Sequence, residues 1–257
     1  MFRDDDHWVA AIHAEEVAPA ISAFLRPTIG FLHTADVHVA TFDRLVAERA
    51  AGVTAIHCVR DQLLANAREH GVDDPSVQRG LAEAFSVLVA DGADVIVCTC
   101  STVGGEAERM GEANRKNTAA GTPRSIPVLP VDRPMAARAV RDGSNIAVVA
   151  AVESTLKPTV ELLRGECERQ HRTPTITVEA CLDAWPLFEA GDIAAYHRAV
   201  AAHVDGLDRR YDTVVLAQAS MLGALALVNP VAGRSVLSSP SDAVDAAALI
   251  AGSSHVR

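Results

Sequence analysis

The chain has 257 residues, 49% hydrophobic and 22% charged, which is enough to bury a substantial core and too apolar for a disordered chain. Its net charge of −10 argues against a nucleic-acid partner, because phosphate binding needs a basic face. No apolar run approaches the roughly 20 residues of a membrane span.

The acidic start, Met1-Phe2-Arg3-Asp4-Asp5-Asp6, lacks the hydrophobic core of a signal peptide. Five cysteines fit a reducing compartment better than a disulfide framework, so a cytoplasmic protein with no membrane contact is expected. From about Asp6 to Phe24, Val9, Ile12, Val17 and Ile21 recur at helical spacing, interrupted by Pro19. Residues 1–27 are therefore expected to form a helical extension ahead of the first domain.

From Thr28 the pattern alternates strand and helix. Strands are predicted at Thr28–Leu32, Val53–His57, Asp94–Cys98 and Ile126–Leu129, then at Asn145–Ala150, Thr175–Val178, Thr213–Ala217 and Ser235–Leu237. Amphipathic stretches lie between them at Phe42–Ala50, Ser76–Ala90, Met135–Arg141, Leu156–Gln170 and Ile193–Leu207. Asn114–Arg124 is polar and reads as a loop. The fold class is α/β, with parallel sheets covered by helices on both faces. Residues 28–135 are expected to form one α/β domain and 136–221 a second, with 222–257 returning to the first.

The stretch Asp94-Val95-Ile96-Val97-Cys98-Thr99-Cys100-Ser101-Thr102-Val103-Gly104-Gly105 is central. A β-branched run gives way to a thiol, two hydroxyls and two glycines, and a helix is expected over Glu106–Glu112. Cys100 then falls at a strand's carboxyl end, where open α/β sheets bind ligands. The helix that follows favours an anion at its opening N–H groups. Asp212 to Met221 repeats the pattern at an offset of about 118 residues, so Cys100 falls on Gln218 and Thr102 on Ser220. Thr28–Thr34 and Asn145–Ala150 match at nearly the same offset, which points to two similar halves facing one cleft.

Four segments come in register: Ile29-Gly30-Phe31-Leu32-His33-Thr34, Cys100-Ser101-Thr102, Ile146–Ala150 with Glu153-Ser154-Thr155, and Leu216-Ala217-Gln218-Ala219-Ser220-Met221. In order and spacing they resemble the aspartate/glutamate racemase superfamily, which includes hydantoin racemases, maleate isomerases and arylmalonate decarboxylases. The resemblance covers the chain from Thr28 onward. It implies two α/β domains related by a pseudo-twofold axis, the active site in the cleft between them, no cofactor, and a homo-oligomer. In that family one cysteine from each domain flanks the substrate's α-carbon. Cys100 matches the first, but Gln218 stands where the second is expected.

A thiol with a pKa of about 8.5 can take or return a proton, whereas an amide can only hydrogen-bond. Three readings follow. The first is proton transfer at the α-carbon of a small carboxylate, an amino acid or a related acid, with His33 or a water opposite Cys100. The second is decarboxylation of a malonate-type acid with Cys100 as proton donor. The third is binding of a small carboxylate without turnover. A carboxylate held by hydroxyls and helix-opening N–H groups would use Ser101 and Thr102 on one side. Ser154 and Thr155 on the other match the family's second-domain turn, and Gln218, Ala219 and Ser220 are expected to contact the substrate opposite the thiol. Thr34, at the end of the first strand, is expected to orient the α-substituent, and His33 beside it is the nearest imidazole.

Plainer readings stand beside these. Cys98 reads as a small buried hydrophobe inside the strand, and Cys58, Cys167 and Cys181 as structural. Cys98 and Cys100 lack a second ligand pair at zinc spacing, so no metal is expected. Gly104-Gly105 lacks the spacing of a dinucleotide loop. His197 and His203 are expected to be solvated on an exposed helix face.

Overall fold

A computed structural model describes residues 26–117 and 126–254. The expected extension over residues 1–27 therefore lies almost wholly outside the described residues. All eight predicted strands are present: β1 (Thr28–His33), β2 (Thr54–Val59), β3 (Val95–Cys98), β4 (Val128–Pro130), β5 (Asn145–Val149), β6 (Thr175–Val178), β7 (Thr213–Leu216) and β8 (Ser235–Ser238). They form two parallel four-stranded sheets of matching order, β2-β1-β3-β4 and β6-β5-β7-β8. The inner strands β1, β3, β5 and β7 are almost wholly buried apolar runs, as parallel strands covered on both faces must be. The outer strands β2 and β6 are partly exposed.

The helices are α1 (Val37–Arg49), α2 (Gln62–His70), α3 (Pro75–Ala90), α4 (Ser101–Asn117), α5 (Arg133–Asp142), α6 (Glu153–Gln170), α7 (Trp185–Glu189), α8 (Ile193–Asp205) and α9 (Ser239–Ser254). Helix α3 shows how sequence sets such an element. Asp74 accepts a hydrogen bond from Ser76 N–H at 2.8 Å, and Pro75 takes the first helical position, where its missing donor costs nothing. Val77, Leu81, Ala84, Phe85 and Leu88 then bury one stripe under the first sheet. Truncating the fully buried Leu81 to alanine would cost about 2–5 kcal/mol.

Two predicted boundaries move. Helix α4 begins at Ser101, so Ser101 and Thr102 form its first turn, and Asn114–Asn117 is the end of that helix. The rest of the expected polar loop, 118–125, lies outside the described residues. Gly111 lets α4 lie close on β4, since a Cβ there would meet Val128 Cγ2 at 2.5 Å.

The chain crosses between halves twice. Met135, Ala136, Ala139 and Val140 of α5 pack under the second sheet with Ile146, Val148 and Val215. Residues 222–226 belong to a 3-10 segment (Ala219–Ala226) whose buried Met221 and Ala224 join the second core, and β8 pairs with β7. Ala219 and Leu222 of the same segment pack on the first core. Ala243, Val244, Ala247 and Ala251 of α9 pack with Phe31 and Phe42 of the first half. No helix among the described residues is long and apolar enough to cross a membrane.

Candidate active site

The carboxyl ends of β1, β3, β5 and β7 converge on one cavity of about 60 Å³, room for about four water molecules. The first half supplies Thr34 and His38 from the β1–α1 segment, Leu64 and Arg68 from α2, and Thr99, Cys100, Ser101 and Thr102 after β3. The second half supplies Val152 and Thr155 at the opening of α6, Trp185 and Phe188 from α7, and Gln218, Ala219 and Ser220 after β7. Sequence positions 100 and 218 therefore line the same space.

Cys100 sits immediately before α4, at the end of the helix dipole that favours negative charge. Cys98, two residues back, is fully buried inside β3, and burial pushes its thiol far up. Cys58 and Cys181 are likewise buried and raised. Of the five cysteines, only Cys100 lines the cavity.

Gln218 faces the cavity with one end of its amide already committed. Its Oε1 accepts hydrogen bonds from Ala151 N–H at 2.6 Å and Val152 N–H at 3.2 Å, the two groups that lead into α6. A neutral oxygen of the chain thus fills the place at the head of α6 that would otherwise draw an anion. The amide nitrogen has no partner among the described residues and is the only part left for a ligand.

The hydroxyls divide in the same way. Ser101 Oγ donates to the Ala217 carbonyl across the cleft at 2.9 Å, tying the two halves at the mouth of the site. Ser220 Oγ is 2.9 Å from the buried Tyr196 hydroxyl. Thr34 and Thr155 line the cavity with hydroxyls that have no partner among the described residues. Ser154 does not line it, and its Oγ lies 3.4 Å from Thr102 Oγ1.

His33 is also absent from the cavity. It is fully buried, with Nδ1 2.9 Å from Thr99 Oγ1 and Nε2 2.9 Å from His57 Nδ1. On β1 it shares a face with Ile29 and Phe31, and that face packs inward. The imidazole that lines the cavity is His38, at the start of α1. Burial holds its pKa below the usual histidine value, against the pull of Asp36, so the ring is neutral at neutral pH. His197 and His203 are not solvated either. Their Nε2 atoms lie 2.9 Å from the Ser220 carbonyl and 3.1 Å from the Glu179 carbonyl.

Sequence reasoning missed Arg68, Trp185 and Phe188. Arg68 is exposed at the cavity rim, 5.6 Å over the Trp185 ring, and has no ion pair among the described residues. Trp185 stacks on Phe188 at 4.8 Å, and Phe188 meets Tyr196 edge-on. Asp132 was missed as well. It is buried beneath Ser101, and burial raises its pKa to about 6 although the Ser101 and Ser239 hydroxyls lie close enough to oppose the shift. Neither hydroxyl is aligned to satisfy Asp132 Oδ1, and Ser238 Oγ and Ser239 Oγ are also buried without partners.

A larger cavity, about 420 Å³, lies behind Ser101 and Thr102 between α4 and α6. Its arginines are already paired, Arg109 with Glu106, Arg133 with Glu108 and Glu166, and Arg169 with Glu166. It holds no thiol. No group of three His, Cys, Asp or Glu residues among the described residues is arranged to hold a metal.

No family model matches the chain, and neither does any curated relative. Solved structures do. The aspartate racemase of Picrophilus torridus superposes with a TM-score of 0.62 at 12% identity, over 88% of this chain and 94% of that one. The glutamate racemase of Thermus thermophilus gives 0.61 at 19%, over 90% and 82%. This is the fold of the aspartate/glutamate racemases. An arylmalonate decarboxylase shares the racemase fold, with a TM-score of 0.59 at 17% identity over 88% and 93%. At these identities the likeness concerns architecture, and chemistry has to be argued from the residues of the cavity.

Proposed function

We propose that the chain is an enzyme of the aspartate/glutamate racemase superfamily that transfers a proton at the α-carbon of a small carboxylate, with Cys100 as the acid/base. The observation that carries this reading is the placement of Cys100 before α4 in a small cavity whose other wall presents the amide of Gln218. The opening N–H groups of α4, with the Thr34 and Thr155 hydroxyls, supply donors for one carboxylate. Arg68, without an ion pair among the described residues, supplies a charge for it or for a second anionic group.

The groups that can exchange a proton, Cys100 and His38, both come from the first half. The second half contributes an amide, hydroxyls and aromatic rings. Proton transfer therefore occurs on one face of the bound acid. An α-carbanion formed there is reprotonated from the same side, and the product keeps its configuration. The lack of a base at position 218 also favours a second reading, in which an enediolate left by loss of carbon dioxide takes its proton from Cys100.

The test is incorporation of solvent deuterium at the α-position of amino acids, hydroxy acids and malonates, with carbon dioxide followed in parallel. Deuterium incorporation that disappears in Cys100→Ala supports the proton-transfer reading. Carbon dioxide release that disappears in the same variant selects decarboxylation. Binding with neither, or turnover that survives the loss of Cys100, rejects both.

A further inference from the structure

Behind the cavity wall four side chains are joined end to end. Asp43 Oδ1 lies 2.9 Å from His57 Nε2, His57 Nδ1 2.9 Å from His33 Nε2, and His33 Nδ1 2.9 Å from Thr99 Oγ1. Asp43 is exposed at the outer end, and Thr99 lies on the cavity wall beside Cys100. The Thr99 hydroxyl has a second acceptor within reach, the Leu32 carbonyl at 3.1 Å.

Each of these contacts holds one hydrogen, and that restricts the chain to two arrangements. With both rings neutral, Thr99 O–H donates to His33 Nδ1, His33 Nε2–H donates to His57 Nδ1, and His57 Nε2–H donates to the Asp43 carboxylate. With one more proton every inner bond reverses. His57 then carries both N–H groups, donating to Asp43 and to His33 Nε2, His33 Nδ1–H donates to Thr99, and the Thr99 hydroxyl turns to Leu32.

The passage between them balances without any redox step. The Thr99 hydroxyl proton moves to His33 Nδ1 while the His33 Nε2 proton moves to His57 Nδ1. Thr99 takes its replacement from a solvent hydronium ion, which leaves as water, so the net change is one added proton. His33 changes tautomer and never becomes charged. Burial, with His57 and His38 nearby, drives its own pKa down to about 3, so the charge rests on His57 beside Asp43. Among the described residues, His57 and His38 act on the His33 ring, and Asp43 on α1 pairs with the His57 ring. Asp36 acts on His38, and Arg49 of the same helix is engaged by Asp245 of α9.

We propose that Asp43, His57 and His33 are positioning residues for Cys100, forming a relay whose proton count sets the direction of the Thr99 hydroxyl at the segment that carries the thiol. This rests on Cys100 being the acid/base. It makes the cysteine's surroundings respond to the proton state of an exposed ion pair that the substrate does not touch.

The test is nitrogen-15 NMR of the histidine rings in the substrate-free chain between about pH 5 and 8, where histidines titrate. In the native chain His33 passes from the Nε2–H to the Nδ1–H tautomer as the pH falls. Asp43→Asn, at an exposed position, moves that change to lower pH by a factor of about 2 to 5 in proton concentration, the worth of an exposed charged partner. His57→Gln holds His33 in one tautomer throughout. The acid limb of the Cys100-dependent deuterium exchange moves with the Asp43→Asn midpoint. One His33 tautomer across the range in the native chain, or an unchanged midpoint in Asp43→Asn, overturns the relay. The NMR readout needs no turnover, so failure of the relay and failure of the proposed reaction are separate results.

Discussion

Gln218 Oε1 accepts the Ala151 N–H at 2.6 Å, so the residue standing where a second cysteine is expected acts as a cap for the second half. Two consequences separate when it is replaced. Gln218→Leu leaves the Ala151 and Val152 donors unpaired, and unfolding free energy should drop by about 2–4 kcal/mol. Gln218→Cys loses the cap too, but places a titratable group on the second wall. Thermal unfolding should register the loss in both variants, while polarimetry should detect inversion of configuration only in the cysteine variant.

Arg68 has no carboxylate partner among the described residues. Arg68→Ala should weaken binding of a small dicarboxylate such as malonate by about 3- to 10-fold, a charge-assisted bond discounted for its exposure. Raising the salt concentration should weaken binding to the native chain and barely affect the variant. Calorimetric titration at two ionic strengths reads both effects. Equal affinities in the two proteins would remove Arg68 from the site.

Asp132 gives a pH-dependent prediction. Its carboxyl titrates near 6 in the folded chain against 3.8 ordinarily. The folded state holds that proton more tightly, so stability falls as the pH rises from 3.8 to 6 and stays reduced above it. The difference is about 3 kcal/mol at neutral pH. Asp132→Asn should therefore raise the melting temperature by several degrees at pH 7.5 and leave it nearly unchanged at pH 4. An equal shift at both values would show that the carboxyl's ionisation is not the cause.

How much was legible in the sequence follows from what local pattern encodes. The inner strands announced themselves because covered parallel strands are uninterrupted apolar runs, and the offset between Cys100 and Gln218 located both walls of the cavity. His33 was misplaced although strand parity held the answer. On β1 it shares a face with Ile29 and Phe31, which pack inward, so only residues past the strand's end could reach the cleft. Helix α2 was not predicted. Its apolar residues, Leu63, Leu64 and Ala67, stand at helical spacing but span little more than one turn, so Arg68 had no element to sit on. Trp185 and Phe188 reach the site through the packing of α7 on α8, a tertiary fact with no sequence spacing to mark it. Asp132 could have been suspected from its position just past a strand, before Arg133-Pro134 opens α5.

The central claim is that one thiol moves the proton on one face only. Its most direct measurement follows α-deuterium incorporation and optical rotation together, in deuterated water, on a single enantiomer of each acid that turns over. The native chain should incorporate deuterium with retention of configuration, and Cys100→Ala should lose that rate by a factor of about 100 or more. Inversion by the native chain at the rate of deuterium uptake would contradict the account, because a proton donor would then be acting from the wall that holds Gln218.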